Sequence, residues 1–265
     1  RRGPPRTAAG GERSGRLLDS ALPMGLFRRT TPPPPLEPAE PEEGLDVPIE
    51  REELVLRSAP ASPVAEQFRR LWSSIEALNP DGAPRTVMIT SALAGEGKTV
   101  AALNLALAFC ERPHSRIVLV DADLRNPRLE HYLGLPRRQG FAELLEGRLA
   151  LDRAIRRTSE PGLDIIGAGQ PPPNPTKIIR VDRLKALFHG LKQRYDYVVI
   201  DAPPAHLLTE PHLIGAASDG ILLAVRLGST PKGLVEETSQ QLESMGGNLL
   251  GVCLLGANAR PGASA

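Results

Sequence analysis

The stretch Ser91-Ala92-Leu93-Ala94-Gly95-Glu96-Gly97-Lys98-Thr99 constrains this chain more than any other. It follows a short apolar run, Thr86-Val87-Met88-Ile89-Thr90, and opens into Val100-Ala101-Ala102-Leu103-Asn104-Leu105-Ala106-Leu107-Ala108-Phe109. That order is strand, small-residue loop, helix. Small residues let backbone N–H groups converge on a phosphate, and the helix N-terminus adds its positive end. Ala94, Gly95, Glu96, Gly97, Lys98, Thr99 and Val100 are therefore the candidate nucleotide-binding positions. Lys98 reaches for the outer phosphates, and the Thr99 hydroxyl is the expected Mg²⁺ ligand. The strict pattern starts with Gly where this chain has Ala92, but Gly95-x-Gly97-Lys98-Thr99 is intact.

The 265 residues suffice for one α/β domain with a full core and a tail. A net charge of +1 and only 3% aromatic residues argue against nucleic acid as a partner. No apolar run approaches the length of a membrane-spanning helix, so direct membrane insertion is not expected. Cys110 and Cys253 lie far apart in apolar runs and read as reduced core residues of a cytoplasmic protein. The five histidines are scattered and suggest no metal site.

Residues 1–60 carry the composition of a disordered tail. An Arg/Gly/Ala-rich start leads to Pro32-Pro33-Pro34-Pro35 and then an acidic, proline-interrupted run from Glu37 to Glu53. Met24-Gly25-Leu26-Phe27 reads as a natural start, which would put residues 1–23 upstream of it. The folded domain is expected over 61–257, with 258–265 a short flexible tail. Ser62-Pro63 reads as an N-cap followed by proline at the first helical position. Val64, Phe68, Leu71, Ile75 and Leu78 then repeat at helical spacing.

Further strands are expected at 116–120, 163–166, 197–200, 221–225 and 249–255, with helices at 141–146 and 231–245 and one after the Pro171–Pro175 loop. Thr176 is the expected cap of that last helix, which carries Ile178, Ile179, Leu184, Leu187 and Leu191. Continuous apolar strands alternating with helices imply an α/β fold with a mostly parallel sheet covered on both faces.

Asp121 and Asp123 close the second strand, and Asp201 ends Val198-Val199-Ile200 in a Walker B pattern. Carboxylates at the carboxyl ends of buried strands sit where ligands bind in open parallel sheets. Together with Lys98 and Thr99 they form the charge pattern of an ATP·Mg²⁺ site. Such a site needs a hydroxyl and carboxylates for the metal, and Thr99 with the three aspartates supplies them. A carboxylate near the γ-phosphate that the metal does not need is the natural base; spacing leaves open which of Asp121 and Asp123 does which.

The motifs Gly-Glu-Gly-Lys-Thr (95–99), Val-Leu-Val-Asp-Ala-Asp-Leu-Arg-Asn-Pro (118–127) and Asp-Tyr-Val-Val-Ile-Asp-Ala-Pro-Pro (196–204) resemble those of the bacterial tyrosine kinases. These are P-loop NTPases of the MinD/ParA-like superclass that work in capsule and exopolysaccharide export. Linking segments match as well: Gly140–Gly147, Pro172-Pro173-Asn174-Pro175, and Asp219–Arg226.

The resemblance implies ATP and Mg²⁺ as cofactors, Thr99, Asp123 and Asp201 as the metal ligands directly or through water, catalytic roles for Lys98 and Asp121, and Asp121 as the group that orients or deprotonates the acceptor hydroxyl. It also implies a membrane polysaccharide co-polymerase of the chain-length-determinant type as activator, peripheral association with the inner membrane through that partner, and a homo-oligomer. Arg125 is expected either against the acceptor or a neighbouring subunit, or in a surface salt bridge.

Three positions depart from the family pattern. Residues 257–265 hold no tyrosine, where family kinases usually end in a tyrosine cluster, and the tyrosines present are Tyr132, Tyr195 and Tyr197. Tyr195 and Tyr197 flank a buried strand and are expected to serve structure, which leaves Tyr132 as the exposed acceptor. Trp72 replaces the second arginine of the family's Glu-x-x-Arg-x-x-Arg assembly motif, and Leu255 replaces an asparagine near the base. Two other functions share the loop: a nucleotide-switched regulator of export, and a ParA/MinD-type positioning ATPase. The second is disfavoured because Leu93 stands where those proteins carry an extra lysine.

Overall fold

The structure is a computed structural model that describes residues 51–83 and 85–256. The expectations for residues 1–50 and 257–265 lie outside the described residues. Along the chain run α1 (Val55–Ser58), α2 (Pro63–Ala77), β1 (Arg85–Ser91), α3 (Lys98–Cys110), β2 (Ile117–Asp121), α4 (Leu129–Tyr132), α5 (Phe141–Glu146), α6 (Leu151–Ala154) and β3 (Arg156–Arg157). They are followed by β4 (Leu163–Ile166), α7 (Pro175–Ile178), α8 (Val181–Lys192), β5 (Tyr197–Asp201), α9 (Glu210–Ala217), β6 (Gly220–Arg226), α10 (Lys232–Ser244) and β7 (Leu249–Leu255).

The strands form one sheet in the order β3-β4-β2-β5-β1-β6-β7. All pairings are parallel except β3 with β4. Strands β1, β2 and β5 are buried along almost their whole length, as strands covered on both faces must be. One face packs Ile89, Leu119 and Val199 against Phe68 of α2 and Leu103 and Leu107 of α3. The other packs Met88, Val120 and Ile200 against Phe141 of α5, Phe188 of α8, Ile214 of α9 and Leu242 of α10. Helix α3 runs beneath the sheet centre with eleven of its thirteen residues buried, which explains its lack of a polar stripe.

The described fold starts earlier than the expected boundary at residue 61. Leu54 is fully buried and Leu56 nearly so. The buried side chain of Asn104 on α3 anchors this segment: its Oδ1 accepts the Leu56 N–H at 3.3 Å, and its Nδ2 donates to the Glu53 carbonyl at 2.9 Å. Composition assigns these residues to the tail because the acidic run hides two core leucines whose partner lies on a later helix.

Helix α2 begins as read. Ser62 is the N-cap and accepts the Ala65 N–H, with Pro63 following. The helix expected after the proline loop is two helices. Ile179 and Arg180 are extended between α7 and α8, and the break buries Ile179. Thr176 does not cap: its hydroxyl donates to Glu210 Oε1 at 2.8 Å, and Asn174 occupies the N-cap position.

Leu54→Ala is expected to lower stability by roughly 2–5 kcal/mol, the usual cost of emptying a fully buried leucine site. A chain beginning at residue 61 should melt at a lower temperature than one beginning at 51, followed by circular dichroism. Equal midpoints would show that the 51–60 segment adds nothing to the core.

Candidate nucleotide site at the carboxyl end of the sheet

Strand register brings the site together. Asp201 lies beside Ile89 on β1 and beside Asp121 on β2. The loop after β1 therefore opens next to both carboxylates. In that loop Gly95 and Gly97 take φ of 80° and 91°, left-handed values that side chains resist. Gly97 is the N-cap of α3, so the first helical residues are Lys98 and Thr99. Ala94 and Gly95 are exposed, Val100 is half-buried, and Lys98 and Thr99 are buried.

Lys98 Nζ donates to Asp123 Oδ2 at 2.8 Å and lies 3.6 Å from Asp201 Oδ1. Thr99 Oγ1 donates to Asp201 Oδ2 at 2.6 Å. The expected residues Lys98, Thr99, Asp121, Asp123 and Asp201 thus converge. Burial alone would lower the Lys98 pKa, but the Asp201 and Asp123 carboxylates outweigh it and hold the ammonium above its ordinary value. Asp201 is raised by burial, against the pull of Lys98 and Thr99.

Asp121 has a second task that its position in the sequence does not reveal. Its Oδ1 accepts the Asp123 N–H, and its Oδ2 accepts the N–H groups of Arg128 and Leu129. It thereby holds the turn after β2 and the start of α4. Burial, then the Asp201 charge, push its pKa up to about 8 despite those donors.

Glu96 turns back onto the loop. Its Oε2 accepts the Leu93 N–H at 2.9 Å and its Oε1 accepts the Thr230 hydroxyl. Arg226 Nη1 donates to the Gly95 carbonyl at 3.3 Å, a contact no sequence signal indicates. Leu255 lies so close that a Cβ on Gly97 would stand 3.1 Å from its Cδ1, which places the end of β7 against the loop.

The residues fit Mg²⁺. Asp121, Asp123 and Asp201 are buried around one ammonium, so the cluster is short of positive charge. Asp201 Oδ1 is buried and makes no hydrogen bond among the described residues. No group of three or more His, Cys, Asp or Glu side chains suited to a metal forms among those residues. Mg²⁺ commonly takes one or two carboxylates and completes its shell with phosphate oxygens and water. Thr99 and Asp201 are the ligands the geometry favours; Asp123 is engaged by Lys98.

Arg125 forms a salt bridge within the chain, Nη2 to Glu210 Oε1 at 2.5 Å. Tyr195 donates its hydroxyl to Asp164, and Tyr197 accepts from Asn79 while stacking on Phe109 at 4.2 Å. Tyr132, expected as the exposed tyrosine, is half-buried against the core, with the Arg51 guanidinium 5.7 Å from its ring centroid. Trp72 packs edge-on against Phe109, and Arg69 pairs with Glu111.

No family model matches the chain. It is 30% identical over 203 residues to the tyrosine-protein kinase YwqD of Bacillus subtilis, covering 77% of this chain and 85% of that protein. The chain belongs to the P-loop family that holds these bacterial tyrosine kinases. It is also 30% identical over 197 residues to the tyrosine-protein kinase etk of Escherichia coli, where the match covers 74% of this chain but 27% of that protein. The solved kinase domain of Escherichia coli tyrosine kinase ETK superposes with a TM-score of 0.74 at 28% identity, covering 82% of this chain and 86% of that one. Fold and family together support nucleotide binding and hydrolysis. No helix among the described residues is long and apolar enough to cross a membrane.

The Asp121 shift carries a signed pH dependence. Between the unfolded carboxylate value, about 4, and about 8, the folded chain holds a proton that the unfolded chain lacks. This contribution to stability is fully present below the lower value and is lost as pH rises through the upper one. The melting temperature of Asp121→Asn relative to wild type should therefore be more favourable at pH 8.5 than at pH 5. A difference independent of pH would contradict the shift.

Proposed function

We propose that this chain is an ATP- and Mg²⁺-dependent protein-tyrosine kinase of exopolysaccharide or capsule export. The observation that carries the proposal is the buried carboxylate cluster around Lys98 and Thr99, in a chain related to proteins named tyrosine kinases. Lys98 neutralises the β/γ-phosphates and the transferring group. Loop amides at 94–100, at the start of α3, bind the phosphate oxygens. Thr99 and Asp201 would hold the metal, with Asp123 kept on Lys98. When bound, Mg²⁺ offsets the charge that develops on the phosphoryl group. Asp121 accepts the proton of the acceptor hydroxyl, and its pKa of about 8 suits a base working near neutral pH. A membrane polysaccharide co-polymerase serves as activator and brings the chain to the inner membrane.

A second reading is a nucleotide-switched regulator that does not phosphorylate tyrosine. It is favoured by the state of the chain's tyrosines, which are all buried or half-buried. Under the kinase reading an acceptor on another chain, such as the partner's cytoplasmic tail, suits the burial of these three side chains.

The test is incubation with γ-labelled ATP, Mg²⁺ and either a tyrosine peptide or that tail. Label on tyrosine is expected, reduced by roughly 10²-fold or more in Lys98→Met, the usual cost of removing a preorganised charge from a transfer site. Asp121→Asn should keep ATP affinity and lose transfer. ATP binding without phosphotyrosine, partner present, would sink the kinase and favour the switch.

A further inference from the structure

The loops that leave the carboxyl ends of β2, β4 and β5 meet at one carboxylate outside the phosphate cluster. Glu210 opens α9, and its side chain is 2% exposed. Its Oε1 receives Arg125 Nη2 at 2.5 Å, Arg125 Nε at 3.1 Å and Thr176 Oγ1 at 2.8 Å. Arg125 belongs to the loop after β2, Thr176 to α7 at the end of the loop after β4, and Glu210 to the first position of α9 at the end of the loop after β5. Burial alone would raise the Glu210 pKa. Backbone hydrogen bonding, Arg125 and Thr176 outweigh it and hold the carboxyl below its ordinary value.

The contact reaches the phosphate site through a short turn. Arg125 stands two residues past Asp123. Asp123 Oδ1 accepts the Asn126 N–H at 3.0 Å, while its Oδ2 holds Lys98. One end of the 123–126 turn is therefore fixed by the Lys98–Asp123 pair and the other by Glu210. An exposed ion pair would do little here, but a buried carboxylate with three donors on one oxygen restrains all the groups it holds.

We infer that Glu210 is a positioning residue: it fastens the loops after β2, β4 and β5 into one wall and sets the Asp123–Asn126 turn against the incoming acceptor. The wall follows from the contacts alone; its service to the acceptor rests on the kinase reading. Glu210 bonds Arg125 and Thr176 and acts through Arg125 and the turn. Its loss should therefore affect transfer to the acceptor more than affinity for ATP.

The experiment has two arms, both on the full chain. Amide hydrogen exchange is followed over 122–128, 174–180 and 206–213 in wild type, Glu210→Gln and Thr176→Val. Glu210→Gln is expected to speed exchange by roughly tenfold or more in all three segments, since a hydrogen-bonded charge is removed from a buried site. Thr176→Val, a milder change should Glu210→Gln fail to fold, should speed 174–180. Exchange that rises only at 206–213, or a Thr176→Val chain that exchanges as wild type, would overturn the wall.

In the second arm Glu210→Gln should lower kcat for a tyrosine peptide by roughly tenfold while KM for ATP stays within about twofold, with partial recovery in Glu210→Asp. Equal loss of kcat and ATP affinity, or no change in either, would overturn the positioning role. If wild type labels no tyrosine peptide, the kinase reading fails and the exchange arm still decides the wall.

Discussion

Asp201 stands where two strand registers meet. Parallel pairing sets it beside Ile89 on β1 and Asp121 on β2, at the one end of the sheet where the phosphate loop opens. Everything polar in the site depends on that register. A one-residue slip would turn the side chains of a strand to the opposite face and separate the carboxylates. The register is held by strands buried on both sides, so the hydrophobic core and the charged site are one construction. Packing of α3 under the sheet supplies the other half, because its first turn delivers Lys98 and Thr99 onto Asp123 and Asp201.

Burial then decides the chemistry. With Asp121 and Asp201 fully inaccessible and Asp123 nearly so, a single ammonium cannot balance the charge. Low dielectric makes each unpaired charge costly and each added cation strongly favoured. That imbalance raises the proton affinity of Asp121 and leaves an oxygen of Asp201 without a hydrogen bond among the described residues. The same deficit suits the cluster to a divalent cation and raises the Asp121 pKa.

Legibility in the sequence followed the range of the interactions. The loop, the helix behind it and the acidic strand ends are written in contiguous residues, so motif and apolar pattern sufficed to place them. The contacts that sequence reasoning missed join distant segments: Leu56 with Asn104 across 48 residues, Arg125 with Glu210 across 85, Glu96 with Thr230 across 134. Thr176 shows the cost of reading locally. It has the chemistry of a cap and lies at the start of a helix, yet its hydroxyl serves Glu210, 34 residues later. The break at Ile179 is of the same kind, since burial of that side chain overrides a continuous helical pattern.

The central claim is that Asp201 and Thr99 hold a metal that ATP requires. Titration calorimetry of ATP into the full chain, with and without Mg²⁺, tests it most directly, using wild type and Asp201→Asn. Mg²⁺ is predicted to tighten ATP binding to wild type by roughly tenfold or more, because the metal relieves the buried carboxylate excess, and to have little effect on ATP binding to the variant. Mg²⁺ tightening that is the same in both chains would contradict the account.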